Sequence, residues 1–244
     1  MSSVQDLTNE SGFVFEGQVE KLGASNASGF PASSETAVVS VTRILKGPPA
    51  LAGYGGQQIT VQLQPPVTLK AGQQAVFFTH GVHYGDTLVV AEVGKAPAGE
   101  PAMEAQMKTA IQAGDDADLT QRLAQADLVI SGTASEPVRH AASAVATGQR
   151  VSEHDPDWWS STITIDSVEK GAAPGKTMEV VFPRSMDIAW HSAPKVKAGD
   201  HGVWLLHNRD LYGRAVPAPA LVHALDFRPT AELQRVRTLL QGPK

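Results

Sequence analysis

The two halves of this chain repeat one order of short β-type blocks, and that self-similarity restricts the fold more than any single motif. Phe13-Val14-Phe15-Glu16-Gly17 corresponds to Leu128-Val129-Ile130-Ser131-Gly132, an apolar strand closing on a glycine 115 residues later. Residues 36–47 correspond to 160–171: Val39 and Val41 stand against Ile163 and Ile165, and the blocks end in Lys46-Gly47 and Lys170-Gly171. Residues 56–63 then correspond to 175–182. In the closest match, Lys70 to His80 against Lys197 to His207, 5 of 11 positions are identical, including both terminal residues. Apolar residues alternate with period two in these blocks, the mark of half-buried strands bounded by turns. The separation drifts from 115 to 127, so the length differences fall in loops on a shared framework. The expected fold is mainly β: two duplicated small β-barrels with short capping and linking helices.

Helical spacing supplies the rest. Pro101 precedes Met103, Met107, Ala110 and Ile111, and Pro229 precedes Leu233, Val236 and Leu240. Proline fits the first turn of a helix, where its missing N–H has no partner to lose. Each stripe is expected to cover its own barrel. Asp118 to Ala126 reads as a second amphipathic segment, Ser3 to Thr8 as its counterpart before the first barrel, and Gly114, Asp115 and Asp116 as a hinge. The expected domains are a first barrel at 1–98, a helical acidic linker at 99–125, and a second barrel with a C-terminal helix at 126–244.

The order "apolar strand-Gly … Val-x-x-Val-x-Lys-Gly … Lys-x-Gly … strand" resembles the oligonucleotide/oligosaccharide-binding (OB) barrel. More narrowly, it resembles the netrin-like barrel of the tissue inhibitors of metalloproteinases and related bacterial domains. That resemblance implies OB-like barrels and a binding role. Those inhibitors grip the protease zinc through an N-terminal cysteine, so in this cysteine-free chain the resemblance does not extend to the inhibitory wedge. The chain also looks like two-domain bacterial proteins carrying Ser-Glu-His-Asp-Pro-x-Trp-Trp, here Ser152 to Trp159, a likeness that implies no activity.

Absence of cysteine excludes disulfides, thiolate catalysis and cysteine-ligated metal together. Net charge is −5 and aromatics are 6%, a poor match to the basic groove and stacking rings of nucleic-acid binders. Lys195 and Lys197 beside Trp190 form the one mildly suitable patch, and no nucleic-acid partner is expected. Apolar runs fall short of the roughly 18 residues of a membrane span, so no membrane insertion is expected. Met1 to Asp6 lacks the basic and apolar regions of a secretory signal. The location expected for the chain as given is cytoplasmic, with export after removal of a signal left open.

Candidate chemistry is sparse. No Gly-x-Ser-x-Gly elbow occurs, and Gly53-Tyr54-Gly55-Gly56 lacks the Lys-Ser/Thr of a phosphate loop. No catalytic residue, metal or cofactor is expected. His80 and His83 flank a turn, and His207 is the counterpart of His80; a histidine just past a buried strand usually caps the sheet rim. The second half holds a denser group: His154, Asp155, Asp157, Trp158, Trp159, Trp190 and His191. Pro156 and the aspartates suit a turn. Of the paired tryptophans, one should pack on the barrel and its neighbour point outward. This group is the candidate partner-binding site, because the first long loop of such barrels frames ligands and tryptophan is favoured at binding hot spots. The expected function is a non-enzymatic binding or assembly module whose partner is another protein. The alternatives are a metal-binding protein or metal-dependent hydrolase using His154, Asp155, Asp157 and His191, and an oligosaccharide binder using the tryptophans.

Overall fold

A computed structural model describes residues 3–84, 87–141, 155–187 and 189–242. The chain divides into two compact units, 1–115 and 116–244. In the first, Ser3 caps helix α1 (Val4–Glu10) in a reciprocal capping box with Asp6. Five strands follow: β1 (Phe13–Leu22), β2 (Thr36–Lys46), β3 (Gln58–Gln62), β4 (Gln74–Tyr84) and β5 (Thr87–Pro97). They close as a barrel in the order β1-β2-β3-β5-β4, every pair antiparallel except β3 with β5.

Period-two alternation sends Phe13, Phe15, Val39, Val41, Ile59, Val61, Phe77 and Val90 inward, where Phe15 stacks on Phe13 and Phe77 at 5.1 and 5.2 Å. The same alternation sends Val14, Val76 and Phe78 outward. That face is also buried, under Val4 and Leu7 of α1 and under Met103, Met107 and Ile111 of helix α2 (Pro101–Gln125). Phe77 and Phe78 are therefore both buried, one in the barrel and one beneath helix. Reading strand alternation alone buries only one of them.

The second unit begins within α2, which is helical throughout, Gly114 included. Strands β6 (Leu128–Ala134), β7 (Val138–Arg139), β8 (Trp158–Lys170), β9 (Thr177–Pro183), β10 (His201–Arg209), β11 (Ala215–Ala220) and β12 (Phe227–Pro229) precede helix α3 (Leu233–Gln241). The sheet runs β11-β9-β8-β6-β10-β12, and β10 also pairs β11, which brings five strands into a ring. Leu119 and Leu123 of α2 and Val236 of α3 cover its outer face over Val129, Val203 and Leu205. Among the described residues, no helix is long and apolar enough to cross a membrane.

Pairing agrees between the units residue by residue. Phe13 opposes Thr79 as Leu128 opposes Leu206, and Val39 opposes Ile59 as Ile163 opposes Met178. Bulges after Val14 and Glu16 recur after Val129 and Ser131. Each ring has one parallel pair, with Gln62 against Ala91 and Val181 against Ala220. His80 opposes Ala91 and His207 opposes Ala220.

Two repeated motifs have plain physical causes. Gly17 and Gly132 let a neighbouring strand pass close. A methyl group at Gly17 would lie 2.6 Å from Val39 Cγ1, and one at Gly132 would run into the Thr164 carbonyl. The lysine of each Lys-Gly pair caps a helix end. Lys46 Nζ donates to the Thr8 carbonyl of α1 at 2.7 Å, and Lys170 Nζ to the carbonyls of Leu123, Ala124 and Ala126 at 2.8, 2.9 and 2.6 Å. A cation there also meets the negative end of the helix dipole.

Candidate functional site

Three segments of the second unit meet at the residues Trp158, Trp190 and Asp155. β8 begins Trp158-Trp159, so the two rings take opposite faces of the sheet. Trp159 turns inward onto the ring core. Its Nε1 donates to Asp157 Oδ2 at 3.1 Å, and the Arg184 guanidinium lies 4.1 Å above its ring. Trp158 turns outward but is buried with Val181, Ala220, Val222 and Trp190. Both members of the pair thus pack, because the segment between β9 and β10 lies over the outer face.

That segment is tied down by its own backbone. Asp187 Oδ1 accepts the Ala189 N–H at 2.8 Å, and the Asp187 carbonyl accepts the N–H groups of Trp190 and His191 at 2.9 and 2.8 Å. Lys195 Nζ donates to the carbonyls of Pro183 and Trp190 at 2.6 and 2.8 Å, and more loosely to Ser185 at 3.3 Å. Burial lowers the Lys195 pKa from its ordinary value.

The third segment is the turn between β10 and β11. Asp210 Oδ1 accepts the N–H groups of Tyr212 and Arg214, each at 2.9 Å, while its Oδ2 takes Arg214 Nε at 2.6 Å. Arg214 also reaches Asp155 at 3.5 Å and lies 5.2 Å from the Tyr212 ring centre. Tyr212 stands edge-on to Trp190 at 5.9 Å, and Trp190 stands edge-on to Trp158 at the same distance. Trp190 is fully buried; Tyr212 is 59% exposed.

Of the predicted residues, Trp158 and Trp190 are brought together, joined by Tyr212, which sequence reading passed over. Asp155 belongs to the same corner through Arg214. Asp157 faces elsewhere, paired with Arg139 at 3.2 Å and with Trp159. His191 is exposed, and His154 lies outside the described residues, as does most of the long loop before β8. Among the described residues, no three histidine or acidic side chains converge as a metal-binding group.

Of a second cluster, the sequence reading singled out only His207. Asp226, fully buried, accepts Arg122 Nε at 2.6 Å, Arg122 Nη2 at 2.8 Å, the N–H groups of Val222 and His223 at 2.7 and 2.8 Å, and His207 Nε2 at 3.2 Å. Burial pushes the Asp226 pKa up, but the bonds from Arg122 and His207 outweigh it and hold the carboxyl below its ordinary value. His207 is therefore a buried partner in this cluster, whereas its counterpart His80 is exposed; His80 lies within β4, which runs on to Tyr84, so the turn expected between His80 and His83 is strand. His223 borders a cavity of about 310 Å3 beside Arg122, Asp118 and Gln121.

Burial, and then the Arg122 charge, lower the His223 pKa below the usual imidazole value near 6.5. A depressed folded-state pKa means that the unfolded chain binds the proton first. The stability contributed by neutral His223 is complete above about pH 6.5 and is lost as pH falls through the folded value. Denaturant melts from pH 7.5 to 5 should therefore slope downward. The His223→Asn variant, which keeps a capping side chain for the turn at residues 224–226, should flatten that slope. An equal slope in both proteins would remove His223 as its source.

The chain matches no protein-family model and no curated protein.

Proposed function

We propose that the chain is a non-enzymatic binding module of two duplicated OB-like barrels, and that the second barrel meets a protein partner at the Tyr212 corner. Duplication is supported by the shared strand pairings, bulge positions and single parallel pair of the two rings. The β1-β2-β3-β5-β4 closure supports the OB-like assignment.

The observation that carries the binding reading is an exposed tyrosine on a rigid base. Its ring abuts fully buried Trp190, and its backbone and flanking Arg214 are held by Asp210. A preorganised aromatic loses little freedom on binding, which favours affinity. The metal-dependent reading draws less support, because Asp155 and Asp157 both engage arginines.

In capture experiments from a lysate of the encoding organism, Tyr212→Ala should reduce recovery of specific partners at least tenfold, the effect of a hot-spot residue worth about 2 kcal/mol. Its thermal melt should match the parent's. Undiminished capture by Tyr212→Ala would move the binding surface elsewhere. Quenching of tryptophan fluorescence by an oligosaccharide, lost in the same variant, would favour the sugar-binding alternative.

A further inference from the structure

One turn of the second unit is capped by a residue whose hydrogen-bonding role changes with pH. The N–H groups at the start of a helical turn need acceptors, and serine, threonine, asparagine or aspartate usually supplies them. Helix α1 follows that rule: Ser3 Oγ accepts the Asp6 N–H at 3.1 Å, and Asp6 Oδ2 accepts the Ser3 N–H at 3.0 Å. The 3-10 turn Ala224–Asp226 forms the same reciprocal box with histidine in the serine position. His223 Nδ1 accepts the Leu225 N–H at 3.2 Å, and Asp226 Oδ2 accepts the His223 N–H at 2.8 Å. A backbone N–H only donates, so Nδ1 holds a lone pair and the ring hydrogen sits on Nε2. A serine hydroxyl accepts at any pH; an imidazole accepts only while neutral.

This box positions the buried Asp226 carboxylate. Asp226 takes Arg122 from α2, His207 from β10, and the N–H groups of Val222 and His223. The charged and titratable groups facing the His223 ring are Arg122 and Asp118 of α2, His207 of β10 and Asp226 of the turn. Arg122 and His207 oppose a proton on the ring, while Asp226 and Asp118 favour it. The cavity of about 310 Å3 bordered by His223 gives a charged ring room to turn toward water. We infer that the turn is an acid-sensitive latch: proton uptake by His223 makes Nδ1 a donor, breaks its bond with the Leu225 N–H, and lets residues 223–226 part from Arg122. Opening is local and precedes unfolding of the second unit, so it goes beyond the share of His223 in global stability. The latch is independent of the Tyr212 reading.

Amide hydrogen exchange and imidazole 15N shifts of the full chain, followed from pH 7.5 to 5, test it. At pH 7.5 the His223 ring should be the Nε2–H tautomer. Protection of the Leu225 and Asp226 amides, corrected for the pH dependence of intrinsic exchange, should fall in step with protonation of that ring. An open-state imidazole titrating near 6.5 limits the fall to about thirtyfold at pH 5, and a fall of at least about fivefold is expected. Amides of β6 and β8 should keep their protection. His223→Asn, whose side-chain oxygen accepts the Leu225 N–H at any pH, should hold both amides protected throughout. His207→Gln, which keeps a donor toward Asp226, should leave the fall in place. Ring and amides are read together in the parent, so the result does not depend on either variant folding. An Nδ1–H ring at pH 7.5, or constant Leu225 protection down to pH 5, would overturn the latch. So would an equal fall in β6 and β8, which marks global opening, a fall that persists in His223→Asn, or one that His207→Gln abolishes.

Discussion

Replacing Arg122 with leucine is expected to destabilise the second unit by roughly 3–5 kcal/mol, the range found when one partner of a buried ion pair is removed. Asp226 has no solvent exposure and Arg122 supplies two of its five hydrogen bonds, at 2.6 and 2.8 Å. Without the guanidinium, the carboxylate keeps the Val222 and His223 N–H groups and the His207 ring, but no permanent cation. The remaining choices are a buried charge without its counter-ion or uptake of a proton, and both raise the energy of the folded state. All four tryptophans lie in the second unit, so tryptophan fluorescence in urea reports on that unit alone. Adding Asp226→Asn to Arg122→Leu should recover part of the loss, because the stranded charge disappears while an oxygen still accepts backbone N–H bonds. A cycle of the two single variants and the double variant measures the coupling. A loss below about 1 kcal/mol for Arg122→Leu, the scale of exposed pairs, would mean that Asp226 finds another counter-ion or water. The lowered Asp226 pKa has its own signature: its contribution is present above the ordinary carboxylate value and disappears as pH falls through the folded value.

Trp190→Ala should cost about 3–5 kcal/mol, as expected for a fully buried large aromatic. The ring fills the space between Trp158, Val181 and Ala220 on the sheet, Val222 just beyond β11, and Tyr212 at the turn. Its removal leaves a hole under a segment that Lys195 binds to carbonyls on both sides, so collapse into the gap is restricted. Trp158→Ala should be destabilising too, since that ring is 8% exposed and meets Trp190 edge-on. Tyr212→Ala, with most of its ring in water, should stay within about 0.5 kcal/mol of the parent. The three variants therefore separate packing from recognition along one line of rings. A Trp190→Ala protein that melts like the parent would show that the segment between β9 and β10 adds little to the stability of the second unit.

The mainly β character and the principal strands were legible in the sequence because they follow from local periodicity. Alternation with period two places Val39, Val41, Ile163 and Ile165 on one face whatever else the chain does. Gly17, Gly132, Lys46 and Lys170 recur because close strand passage and an uncapped helix end recur with the fold. Helical spacing after Pro101 likewise identified Met103 and Met107 as a covering stripe. Tertiary structure decided what covers the outward faces and which charges pair. Alternation turns one ring of each adjacent pair, Phe77-Phe78 and Trp158-Trp159, away from the ring core, yet helix α2 buries Phe78 and the segment carrying Trp190 buries Trp158. His80 and His207 hold equivalent register positions, but Asp226 comes within reach of His207 only because the turn before β12 folds back beneath it. Arg122 and Asp226 are 104 residues apart, with no periodicity linking them. Pattern in a sequence reports the directions in which side chains leave the backbone. Whether such a side chain meets water, a ring or an opposite charge depends on segments arriving from far along the chain.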